Sequence, residues 1–156
     1  MAGETRKILE IKPGQSWLVL SEGRWAYDAP PNHSAVSLER ASIWLLPLVE
    51  RPRQEVESEA RARQYPGDPD LAQPLHFVIS AGLGAWSDHW ISRALRWVTP
   101  SEVELFADQL HAIARTSTAA SQRTQHAAKR LLKQRGLWRS TTADAEPEPT
   151  TPETPH

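Results

Sequence analysis

A chain of 156 residues with net charge −1 and no cysteine has the length of one domain and excludes disulfides and thiolate chemistry. Its apolar fraction of 39% is below the globular norm of roughly 45–50%. No apolar run approaches the roughly 20 residues of a membrane helix, and the richest, residues 43–49, is interrupted by Pro47.

The N-terminus leads into no continuous apolar segment, so the expectation is a cytoplasmic protein without a secretory signal. An excess of 14 Arg over 4 Lys suggests a GC-rich bacterial gene. The small net charge hides an uneven layout. Residues 1–108 carry 11 basic and 15 acidic side chains, residues 109–139 carry seven basic and none acidic, and residues 140–156 carry four carboxylates and no base. The basic block is the strongest electrostatic feature of the chain.

In chain order, residues 8–27 predict a small β hairpin or meander. Ile8–Ile11, Trp17–Leu20 and Arg24–Tyr27 are apolar or aromatic runs separated by Pro13-Gly14 and Gly23, the punctuation of short strands. A helix is expected to open near Ser34, because Leu38, Ala41, Leu45 and Leu48 recur at helical spacing. Pro47 should kink or end it, and a buried strand over 42–46 is the competing prediction. Residues 53–63 read as a polar helix with Glu57–Arg61 and Glu59–Arg63 in the favourable i, i+4 order. Asp68 before Pro69 suggests an N-cap and first helical position.

The second half is more regular. Residues 75–83 predict a buried helix ended by Gly82 and Gly84, and residues 87–98 a second one. Thr99-Pro100-Ser101-Glu102 has the form of a capping box with proline at the first helical position. In the helix it opens, Val103, Phe106, Leu110 and Ile113 share one face. A final helix over 119–135 should stop at Gly136, a left-handed C′ residue, with Leu137 folding back on Leu132. Residues 103–135 look somewhat like one HEAT-type helical pair. Nothing upstream repeats the unit, and such folds need several copies, so the family is not adopted. Residues 140–156, rich in Pro, Glu and Thr with four prolines and no large apolar residue, predict a disordered tail.

Two surfaces stand out. On the last helix Arg123, His126, Lys129, Arg130 and Lys133 gather opposite Ala120, Thr124, Ala127, Ala128, Leu131 and Leu132. With Arg115 and Arg139 they suggest a contact for a polyanion or an acidic partner. The plainer explanation is the solvated face of an amphipathic helix. Trp86, Trp90 and Trp97, with Arg93 beside them, form a stripe over 86–97. Exposed, it would be a stacking platform or an aromatic anchor for a partner; core is the favoured reading, because it borders the apolar arc. Trp17, Trp25 and Trp138 are expected at the core rim.

The six histidines are scattered, and Asp88-His89 neighbours point about 100° apart on a helix. No metal or cofactor is expected. His111 should pair with Asp108, one turn away. Gly82-Leu83-Gly84 lacks the third glycine and the preceding strand of a dinucleotide loop, and no nucleophile elbow or phosphate loop occurs.

These readings assign a mainly α fold. About five helices form a bundle-like array over 31–139, with a β hairpin or meander over 1–30. Residues 1–139 would be one globular domain and 140–156 a tail. The expected function is a non-catalytic protein-interaction or regulatory module of the bacterial cytoplasm, with a protein partner or self-association and no membrane. The alternative is nucleic-acid binding through the basic face of 115–139.

Overall fold

A four-stranded antiparallel meander begins the computed structural model, which describes residues 5–29 and 35–139. Strands β1 (Thr5–Lys12), β2 (Ser16–Ser21), β3 (Arg24–Asp28) and β4 (Val36–Ser37) lie in the order of the chain. Ser21 and Arg24 are paired, and the two residues between them, Glu22 (φ 54°) and Gly23 (φ 76°), both take positive φ. That is the two-residue hairpin turn whose twist matches the strands. In β1 the register shifts between Lys7 and Leu9. Ile8 and Leu9, at that irregularity, are both buried.

Helix α1 (Leu38–Ala41) lasts a single turn and passes into a 3₁₀ segment, Ser42–Glu50. This corrects both predictions for the region, the longer α-helix and the strand over 42–46. Leu45 and Leu48 are buried in one row and Leu46 and Val49 in another, while Ile43 and Trp44 are exposed. Rows at i, i+3 match the three-residue turn of a 3₁₀ helix, and Pro47 could not continue an α ladder. The predicted start at Ser34 lies outside the described residues.

Helices α2 (Arg53–Arg63), α3 (Ala72–Leu83) and α4 (Asp88–Trp97) follow, then a short 3₁₀ turn Pro100–Glu102, α5 (Ala107–Arg115) and α6 (Gln122–Gln134). The fold is therefore mainly α, with six α-helices after the meander among the described residues. Helix α3 lies against the 3₁₀ segment, α4 and α5. Gly82 makes its contact with α4 possible, since a Cβ there would stand 2.5 Å from the Ala94 Cβ. One core joins sheet and helices through Ile8, Leu18, Leu45, Val56, Ile79, Ile91, Leu110 and Leu132. Trp25, expected at the rim, is buried at 5% exposure and donates from its indole to the Asp70 carbonyl.

Asp68 is not an N-cap. It accepts from the Tyr65 amide, and both of its oxygens accept from the Arg6 Nη2 at 2.6 and 2.7 Å, tying the 64–71 connection to β1. The amide of Ala72, the first residue of α3, is met instead by Asp70. On α2, Arg61 stands 3.7 Å from Glu57, whereas Glu59 pairs with Arg51 rather than Arg63. At the end of α6 the Gly136 amide donates to the Lys133 carbonyl and the Leu137 amide to the Leu132 carbonyl. With Gly136 at φ 68° this is the expected Schellman closure. The tail predicted over 140–156 lies outside the described residues.

Candidate interaction surfaces

Ser121 caps α6 by accepting from the Thr124 amide, and its own amide donates to Asp88 at 2.8 Å. Asp88 is the first residue of α4, so one carboxylate fastens the N-terminal ends of both helices. Hydrogen bonds from Thr124 and then from the Ser121 amide hold its pKa below the usual carboxylate value. Clamped at that end, α4 and α6 leave a groove of about 330 Å³ between them. Its floor is Leu95, Ala127 and Leu131, and its rim carries Arg96, Arg123 and Arg130. All three arginines are exposed. None of them meets a carboxylate among the described residues, and none of the residues lining the groove is acidic.

The predicted basic surface therefore divides. Arg123, His126, Arg130 and Lys133 remain exposed along α6. Lys129 and Arg115 instead stand over the Trp138 indole, at 4.7 and 4.9 Å from its ring centre. The His111 ring stacks on the same indole with centroids 5.5 Å apart, and its Nε2 donates to the Leu137 carbonyl at 3.0 Å. His111 thus secures the chain after α6 and does not pair with Asp108. Arg139 is exposed just beyond this clamp. Arg96, on a different helix, completes the cationic groove; its position in three dimensions was invisible to a wheel drawn for α6 alone.

The tryptophan stripe divides as well. Trp97 is core, 2% exposed, with its indole donating to the Arg51 carbonyl. Trp90 is half-buried and Trp86 is 66% exposed. Arg93 donates to the His89 carbonyl at 3.5 Å. The exposed aromatic surface thus ends before Trp97, and the 3₁₀ segment extends it in the other direction. Trp44 (59% exposed) and Pro47 join Trp86, Trp90 and Tyr27 around a groove of about 320 Å³.

A third feature went unseen in the sequence except as a cap. Glu102 sits in the connection between α4 and α5, where its carboxylate accepts from the Thr99 amide at 3.0 Å and the Thr99 hydroxyl at 2.9 Å. Across the core edge Arg53 donates to both of its oxygens and His76 Nε2 approaches to 2.8 Å. Burial works against the charge, but the bonds from Arg53 and then Thr99 outweigh it and hold the Glu102 pKa down to about 2. His76 also borders an open hollow of about 550 Å³ beside Phe77, Leu105 and Phe106. A carboxylate with this many donors is a strut between α2, α3 and the α4–α5 connection, poorly suited to accept a substrate proton. No group of three or more potential metal ligands occurs among the described residues, and no described helix is long and apolar enough to cross a membrane.

No protein-family model, no curated protein and no solved structure matches the chain.

Proposed function

We propose that the chain is a non-catalytic protein-interaction module that docks an acidic amphipathic helix in the groove between α4 and α6. The observation that carries this reading is the set of three exposed arginines, without carboxylate partners among the described residues, around a floor of Leu95, Ala127 and Leu131. Arginine suits such a rim, because its planar fork pairs bidentately with carboxylates and is less strongly hydrated than an ammonium. An apolar floor between cations favours an occupant with its own apolar stripe flanked by acid. Helix α6 is about 20 Å long at 1.5 Å per residue, enough to seat a partner helix of three to four turns.

Nucleic acid is the competing occupant, and its requirements differ. A polyanion is bound through cations alone, with strong salt dependence, and gains nothing from Leu131. Binding is tested with a 16-residue peptide bearing a Leu stripe flanked by Glu, and separately with a 20-base-pair DNA duplex, by fluorescence anisotropy. The peptide should bind, and both Leu131→Asp and the triple charge reversal Arg96→Glu, Arg123→Glu, Arg130→Glu should abolish binding while circular dichroism stays unchanged. DNA binding that survives Leu131→Asp, with no peptide binding, would overturn the reading in favour of a polyanion surface.

A further inference from the structure

The aromatic groove on the opposite end of α4 is independent of the arginine surface, and its lining is of a different chemistry. Tyr27 from β3, Trp44 and Pro47 from the 3₁₀ segment, and Trp86 and Trp90 around the start of α4 form its walls. Lys12 stands at its edge, and its ammonium has no carboxylate partner among the described residues. Two indoles at 59% and 66% exposure, separated by more than 40 positions in the chain yet facing one groove, exceed what core packing requires. Grooves walled by tryptophan and tyrosine recognise proline-rich segments, whose polyproline II conformation is largely preset and therefore cheap to order.

The chain carries such a segment. Residues 149–155 read Pro-Thr-Thr-Pro-Glu-Thr-Pro, so Pro149, Pro152 and Pro155 recur at every third position. A polyproline II helix has three residues per turn and rises about 3.1 Å per residue. All three prolines would thus fall on one edge, about 9 Å apart, with Glu148 and Glu153 on the other edges, available to Lys12. The composition of 140–156 provides no core of its own; the groove provides an apolar surface on which its prolines can be covered.

We propose that residues 147–155 of the chain dock in its own aromatic groove as a polyproline II strand. The length of chain before residue 147 supplies the reach. The last described residue, Arg139, follows the closure at the C-terminal end of α6, while Trp86 and Trp90 flank Asp88, which is fastened to Ser121 at the N-terminal end of α6. Helix α6, which lies between those two places, is itself roughly 20 Å long. Residues 140–146 span up to about 23–25 Å when extended.

The test uses the intact protein and the indole N–H signals of Trp44 and Trp86 in a ¹⁵N–¹H correlation spectrum. Pro149→Ala together with Pro152→Ala should shift both signals and leave the buried Trp97 signal in place. Trp44→Ala, at an exposed position, should in turn lower the heteronuclear NOE of residues 150, 151, 153 and 154. Adding a synthetic peptide of residues 145–156 to the Pro149→Ala/Pro152→Ala protein should restore the Trp44 and Trp86 shifts, whereas the peptide with the same two alanines should not. Unchanged indole signals on breaking the proline repeat would overturn the proposal. Shifts that vanish on tenfold dilution would overturn it too, since they would assign the groove to the tail of a second copy.

Discussion

Glu102→Gln removes one charge from the junction of α2, α3 and the α4–α5 connection while preserving the shape of the side chain. In the folded protein the carboxyl titrates near 2 rather than 4.5, a depression corresponding to about 3 kcal/mol at 1.36 kcal/mol per unit. The side chain retains 11% of its exposure, and water at that edge screens part of the interaction, leaving about 2 kcal/mol. Because the folded-state pKa lies below the unfolded one, the contribution is complete above about pH 4.5 and is lost as pH falls through about 2. Urea denaturation of the two proteins at pH 7, 5 and 3 should therefore show a stability gap of about 2 kcal/mol at the two higher values. At pH 3 less than half of that gap should remain. Carboxyls shared by both proteins cancel in the difference, so the narrowing belongs to Glu102. A gap as large at pH 3 as at pH 7, or one below about 0.5 kcal/mol at neutrality, would refute the assignment of Glu102 as an ionic strut.

Gly82→Ala should destabilise the protein by about 1–3 kcal/mol, because the new methyl would meet the Ala94 Cβ at 2.5 Å; a thermal midpoint equal to that of the parent would show that α3 and α4 can separate freely. Asp88→Asn should cost about 1 kcal/mol by weakening the bond to the Ser121 amide. The same change should raise hydrogen exchange in the first turn of α6 more than in α3, and uniform exchange would count against the clamp.

The regular helices were legible in the sequence because their signals are local. Gly136 followed by Leu137 closes α6 with bonds that span five residues or fewer, and the apolar spacing of α4 and α6 reports on one helix at a time. The meander was legible for the same reason, its strands being divided by Pro13-Gly14 and Gly23. Residues 42–50 were misread because helical spacing at Leu38, Ala41, Leu45 and Leu48 fits both an α-helix and a 3₁₀ continuation. Tertiary burial of Leu46 and Val49 alongside them separates the two. Asp68 was misread because Arg6, some 60 positions earlier, competes for the carboxylate that a cap would use.

The surfaces follow the same division. Cations along α6 could be read from their spacing, but the sequence could not show that Trp138 takes Lys129 and Arg115 while α4 contributes Arg96 to the groove. Nor could spacing alone separate Trp97, which is 2% exposed with its indole on the Arg51 carbonyl, from Trp86, which is 66% exposed. Local periodicity determines which residues share a face. Which faces meet, and which remain exposed to a partner, is decided by contacts between segments far apart in the chain, and those exist only once it has folded.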